Sequence, residues 1–413
     1  MAIWRGSGKL KTVVVRDDAA DASRFFSRLA YAVMAVGAPV GVVLHPIGLF
    51  VVFPIGVALI LMATALEGEG GFLDRVFRVC ASPAFAALVA GFAWATLSIA
   101  WTPYSVAAGQ HALKLWLLLA ASVLAIAAPR ENARATDLYL FPIGVVLLMA
   151  TMAAKGLANV LSGQVDDGTL ANGAVALAVL LFPALGGLTA RGRNGYARLL
   201  LILALGFAYI DGYAPLTIAL FAGYLVLSFA ISDLGRTARE LAWAAAALIA
   251  LAPLVPALAP TVAAWIFQVK LATLPPPYAT LSVAADIFTH DKLRLITGHG
   301  FETVVRGVRA GILPLHTPRA LIFTIWYELG IVGALIAAAG VFLAFRDLIR
   351  APQRLAPYKA AWLTAIVALA FVHVNFNDMT TLTLIAIGFI STDVATRSQY
   401  RTTRPSAANL ANL

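Results

Sequence analysis

The residues of this chain best suited to chemistry lie between Ala259 and Arg319, the one long water-compatible stretch in an otherwise strongly apolar sequence. It carries Lys270, Lys292, Arg294, Arg306, Arg309 and Arg319 against Asp286, Asp291 and Glu302. A guanidinium offers a planar fork of donors that matches a phosphate, so arginines at this density suit an anionic, phosphate-bearing ligand. Arg306 and Arg309 are three residues apart, which on a helix places them on one face. Arg306 also follows Glu302, and Arg294 follows Asp291, at spacings where an ordinary local ion pair absorbs the charge. Arg309 and Arg319 have no such neighbour. Two histidines complete the set. His299 stands between Gly298 and Gly300, glycines that permit a tight turn and close approach of backbone to a ligand. His316 lies between Pro314 and Pro318 where the chain turns apolar again, and imidazole is the side chain that exchanges a proton near neutral pH. Cys80 is the only cysteine, which excludes an internal disulfide and a thiolate metal site.

What positions these residues is a membrane. With 61% hydrophobic and 12% charged residues and a mean hydropathy of +0.87, the chain lies far outside the soluble range of roughly 45–50% apolar and 25% charged. About twelve apolar runs approach the roughly 20 residues that cross a bilayer. They fall near 29–44, 47–66, 84–101, 110–128, 138–155, 171–187, 197–210, 213–231, 240–258, 320–345, 359–376 and 379–394. The predicted fold is an all-α polytopic membrane protein with one large, partly helical external loop between the ninth and tenth spans. The implied organisation is a basic tail over 1–28, spans over 29–258, the loop over 259–319, spans over 320–396 and a second tail over 397–413.

Lys and Arg set the orientation. They crowd alternate connections: Arg5, Lys9, Lys11, Arg16, Arg24 and Arg28; then Arg75 and Arg78; Arg130 and Arg134; Arg191, Arg193 and Arg198; Arg236 and Arg239; Arg346, Arg350, Arg354 and Lys359; and Arg397, Arg401 and Arg404. The short connections between them hold only Lys155. Both termini are therefore expected in the cytoplasm and the 259–319 loop outside, where a length of roughly 60 residues frees its charge from the topology rule. Met1 to Arg28 is basic and polar with no apolar run, so no signal peptide is expected there. The net charge of +10 is mostly this cytoplasmic collar, not a nucleic-acid footprint.

Within the loop, Thr261–Lys270 suits a short interfacial helix anchored by Trp265 and Phe267, and Pro275, Pro276 and Pro277 force an extended break. Helical pattern returns from Ala279 to His290, with Leu281, Ala284, Ala285 and Phe288 on one face, and again from Phe301 to Ala310. Such a loop is a lid or a half-buried site more than a tether. Elsewhere, Lys114 falls mid-span and faces the bundle interior or snorkels. His45, His111 and His373 are placed at span ends, where interfacial histidines are ordinary. Asp211, Asp378, Asp166 and Asp167 fall on outside connections.

The order of these features resembles the O-antigen ligase and polymerase superfamily of bacterial envelope glycosyltransferases. The resemblance rests on the late external loop, Gly298-His299-Gly300-Phe301, His316, and the helix Ile325-Trp326-Tyr327-Glu328-Leu329-Gly330-Ile331-Val332-Gly333-Ala334. Weaker echoes are Ser98-Ile99-Ala100-Trp101-Thr102-Pro103 and Asn172-Gly173. It implies transfer of a glycan from an undecaprenyl-pyrophosphate donor to a sugar hydroxyl at the periplasmic face of the bacterial inner membrane, without metal or other cofactor. The acceptor would be lipid A-core for a ligase or a second lipid-linked glycan for a polymerase. Arg294, Arg306, Arg309 and Arg319 would hold the pyrophosphate, Gly298 and Gly300 would bring backbone to the ligand, and His316 would be the base with His299 as its competitor.

The chain departs from the family's pattern in three places. Nothing basic lies between Lys270 and Lys292, where an arginine is usual; His316 is followed by Thr317-Pro318-Arg319 and not by asparagine; and Gly173 stands where a cation or proline is expected after Asn172. A flippase for the same lipid-linked glycan would need charges along a route across both leaflets, and the spans offer little beyond Lys114.

Overall fold

The computed structural model describes residues 18–45, 47–66, 71–128, 140–166, 168–267, 278–290, 294–350, 354–373 and 378–399. All regular structure among them is helical. That is the solution open to a chain whose backbone groups must be satisfied without water. In chain order the principal helices are α1 (Ala19–Leu44), α2 (Gly48–Leu66), α3 (Pro83–Trp101), α4 (Ser105–Ala127), α5 (Leu140–Ser162), α6 (Thr169–Ala190), α7 (Asn194–Asp211), α8 (Ala214–Ser232), α9 (Leu234–Ala250), α10 (Leu254–Trp265), α11 (Tyr278–His290), α12 (Thr303–Arg309), α13 (Leu321–Arg350), α14 (Ala356–Val372) and α15 (Met379–Asp393).

Most apolar runs expected from the sequence fall within helices, though the helix over the first run begins ten residues earlier, at Ala19, and the run 240–258 is divided between two helices. Among the described residues, eight of these helices, α1 to α6, α8 and α13, are long and apolar enough to cross a membrane. This is the make-up of a multi-pass membrane protein. The count falls short of twelve for physical reasons: α7 contains Asn194, Arg198 and Asp211, and α14 and α15 are shorter. The run 240–258 is not one straight span. It is α9 and α10 meeting at a bend of 74°, where Pro253 lies at the break and Pro256 and Pro260 remove further backbone donors. The boundary expected at residue 259 therefore falls inside α10, and Trp265 at its end is 83% exposed.

The centre of the bundle is α6, buried without interruption from Gly173 to Leu188. An apolar helix without a polar face belongs there, and α5, α7, α8, α14 and α15 pack around it. Small residues let the backbones close up, since lipid supplies no hydrophobic force between helices. A Cβ at Gly223 of α8 would strike the Phe182 ring, and one at Gly173 would come within 2.7 Å of Val43. A second layer sets α13 between α3 and α9. Against it lies α11, which buries Ala284, Ala285 and Phe288; the Phe288 ring lies 5.3 Å from that of Phe323. Phe267's side chain, the Pro275–Pro277 break, Lys270, Asp291 and Lys292 lie outside the described residues, as do both tails apart from 18–28 and 397–399.

Candidate functional site

Gly298 and Gly300 both adopt left-handed backbone, with φ of 75° and 97°, and this turn is docked onto the start of α13. There the residues Ile325–Leu329 wind as a π-turn, which frees carbonyls from the regular helical ladder. The Tyr327 carbonyl accepts from the His299 amide at 2.9 Å and the Glu328 carbonyl accepts from the Gly300 amide at 2.9 Å. The His299 ring stacks on Tyr327, centroids 4.0 Å apart and planes within 3°, and its Nδ1 lies 3.0 Å from the Tyr327 carbonyl.

These glycines closely approach their own chain. A Cβ at Gly298 would collide with the Glu328 carbonyl, and one at Gly300 would come within 2.8 Å of the Thr102 backbone. The third strand of the knot is the segment Ser98–Tyr104. Ser98 Oγ accepts the Phe301 amide at 3.1 Å, and the Thr102 hydroxyl donates to the Phe301 carbonyl at 2.9 Å. Trp94 Nε1 donates to the Leu329 carbonyl at 2.9 Å. Phe301 itself is buried with Ala95, Ala108, Ala112 and Leu115. Three segments far apart in sequence thus meet in one knot.

At its heart is Glu302, the one non-glycine residue with positive φ among the described residues, at 69°. That conformation presents its amide to Glu328, whose carboxylate accepts from Glu302 N at 2.9 Å and from Val304 N at 2.8 Å. Glu328 is 1% exposed, so its two oxygens satisfy backbone donors at the start of α12 that no intrahelical carbonyl reaches. The carboxylate of Glu302 turns the other way and bonds to His111 Nδ1, with Arg306 Nε 3.3 Å from its second oxygen. Burial pushes its pKa up, but the hydrogen bond from His111 and the charges of His111 and Arg306 outweigh that and hold it below the ordinary carboxylate value.

The remaining ring nitrogen of His111 is buried and has no hydrogen-bond partner among the described residues; Tyr104 Oη and Trp101 Nε1 on the adjoining segment share that condition. The His111 ring lies 5.3 Å from that of Phe301.

The expected site residues divide into two groups. His299, Gly298, Gly300 and Arg306 belong to the knot, and the Glu302–Arg306 spacing forms the ion pair it suggested. Arg294, Arg309 and His316 are exposed and Arg319 is half-buried. Arg294's expected partner, Asp291, lies outside the described residues, and none of these four side chains forms a hydrogen bond or ion pair with a described residue. Three placements differ from expectation. His111 lies within α4, not at a span end, and is paired. Lys155 lies within α5, donating to the Val43 carbonyl at 3.3 Å and to Thr169. Glu328 is a carboxylate inside a candidate span, the signal by which sequence alone could have found this knot. Among the described residues no group of three His, Cys, Asp or Glu side chains could hold a metal ion. No protein-family model, curated protein or solved structure matches the chain.

Proposed function

We propose that this chain is a polytopic glycosyltransferase of the O-antigen ligase type, moving a glycan from an undecaprenyl-pyrophosphate donor to a sugar hydroxyl at the periplasmic face of a bacterial inner membrane. One observation carries the reading. The segments on which the resemblance rests, Ser98–Pro103, Gly298–Phe301 and Tyr327–Gly330, are remote in sequence yet interlock through short hydrogen bonds. Arg294, Arg309 and Arg319 lie within ten residues of these segments in the chain, and their side chains form no ion pair with a carboxylate among the described residues.

The chemistry suits these parts. A glycosyl pyrophosphate is already activated, so transfer needs cations where charge builds on the leaving pyrophosphate and a base for the acceptor hydroxyl. Arg309 and Arg319 supply the first; Arg306, half engaged by Glu302, supplies less. No step calls for a metal.

The test is reconstitution of the purified protein in liposomes with undecaprenyl-pyrophosphate-linked oligosaccharide, followed by thin-layer separation of the lipid-linked sugar. Loss of donor only with lipid A-core makes the protein a ligase, and loss with a second donor molecule as acceptor makes it a polymerase. Donor that persists with both acceptors while appearing in the opposite leaflet makes it a flippase and overturns the reading.

A further inference from the structure

We propose that His111 is the general base of this site, oriented by Glu302, with its Nε2 taking the proton of the acceptor hydroxyl. This rests on the glycosyl-transfer reading above.

The geometry selects it over the other histidines. An ionised carboxylate can only accept, so in the neutral imidazole the bond to Glu302 selects the tautomer with the proton on His111 Nδ1 and the lone pair on Nε2. That nitrogen is buried without a hydrogen-bond partner among the described residues, an arrangement a merely structural histidine would avoid. Tyr104 Oη and Trp101 Nε1, also buried without a hydrogen-bond partner among the described residues, belong to the segment that holds Phe301.

Glu302 is built for its task. Its backbone is held in the left-handed region, where a non-glycine residue persists only if its surroundings enforce it. Glu328 does so through the Glu302 and Val304 amides, and Arg306 steadies the carboxylate. His299, by contrast, stacks on Tyr327 and directs Nδ1 to a backbone carbonyl. His316 is exposed and forms no hydrogen bond with a described residue.

In the step itself, the acceptor O–H gives its proton to His111 Nε2 as the oxygen bonds to the anomeric carbon of the donor sugar. The bond from that carbon to the pyrophosphate oxygen breaks, and its electron pair leaves on the pyrophosphate. The imidazolium, balanced by the Glu302 carboxylate, then returns its proton to water.

Two measurements test this. In liposomes with undecaprenyl-pyrophosphate-linked oligosaccharide and both acceptors, His111→Ala is expected to lower kcat by about 10²–10⁴-fold with donor KM nearly unchanged, and added imidazole to restore part of kcat. Glu302→Gln should lower kcat without imidazole rescue. Separately, ring ¹⁵N spectra of the labelled wild-type protein should report His111 with the proton on Nδ1; this needs no turnover and decides the matter if the Ala variant does not fold. A proton on Nε2 overturns the proposal, as does full turnover in His111→Ala alongside collapse in His316→Ala. A wild-type protein that transfers nothing to either acceptor overturns the parent reading instead, and is distinguished by the unaltered tautomer.

Discussion

The carboxyl group of Glu328 accepts the main-chain amide of Glu302 at 2.9 Å, so one buried acidic residue is tied to the backbone of another. One binds the other's backbone and thereby turns the other's side chain away, toward His111 and Arg306. The arrangement divides the labour: Glu328 fixes the loop to α13, and Glu302 fixes the histidine of α4.

The first prediction follows from that division. Glu328→Ala strands the Glu302 and Val304 amides in a buried site, each at a cost of about 1–3 kcal/mol. Glu328→Gln keeps an acceptor and should lose less. Thermal unfolding of the detergent-purified protein, followed by the aggregating fraction, should rank wild type above Gln above Ala. Equal midpoints for all three would mean that the loop is held by something else.

Two left-handed glycines separate conformational strain from collision. A non-glycine residue in that region costs about 1–2 kcal/mol, and at Gly311 a methyl group meets nothing within 4 Å. Gly311→Ala should therefore lower stability by that amount only. At Gly298 the added Cβ would also run into the Glu328 carbonyl, so Gly298→Ala should be markedly worse in the same unfolding assay and should abolish activity. Similar behaviour of the two variants would show that the docking of the turn on α13 is not tight.

Acid should loosen the knot with a defined sign. The pKa of Glu302 is lowered in the folded protein from its ordinary 4.5, so its contribution to stability is fully present above that value and is lost as pH falls through the lower, folded pKa. The wild-type protein should lose stability progressively below about pH 4.5. Glu302→Gln should be less stable at neutral pH and flatter across that acid window. A Gln variant with the wild-type acid slope would assign the slope to other carboxylates.

Much of this was legible in the sequence, because a segment that crosses lipid must be continuously apolar and that leaves an unmistakable run. The helices over 47–66, 171–187 and 213–231 appear almost to the residue as α2, α6 and α8. The turn at Gly298–Gly300 and the Glu302–Arg306 pair were legible too, since both are local. The pairing of His111 with Glu302 was not, because it joins residues 191 apart in the chain and no spacing rule reaches that far. Nor was the 74° bend between α9 and α10, since hydropathy reports how apolar a run is and not which way it points. Nor does a sequence show what lies beside a glycine's backbone; at Gly298 and Gly300 the Glu328 carbonyl and the Thr102 backbone lie there.

Orientation can be read with phosphatase fusions. The basic residues on alternate connections lead to the expectation of both termini in the cytoplasm and Gly311 outside. A fusion at Gly311 should be active and one at Leu413 inactive. The reverse pattern would put the knot and its arginines on the cytoplasmic side and remove a periplasmic glycan donor from consideration.

The arginines offer the sharpest test of the ligand class. Arg309 is exposed and Arg319 half-buried, so neither is needed to hold the fold, and replacement by Ala should leave expression and unfolding midpoint unchanged. If they bind a pyrophosphate, each loses a charge-assisted hydrogen bond of about 1.5–3 kcal/mol, which lowers kcat/KM for the donor by roughly ten- to a hundredfold. Lysine restores the charge but not the planar fork, so Arg→Lys should recover only part of that loss. Arg306→Ala should behave differently, because its guanidinium lies against the Glu302 carboxylate; it should disturb kcat through the histidine as well as donor use. Full kcat/KM in both the Arg309 and Arg319 Ala variants would remove the pyrophosphate from these residues, and a complete rescue by lysine would reduce their part to bulk charge at the mouth of the site.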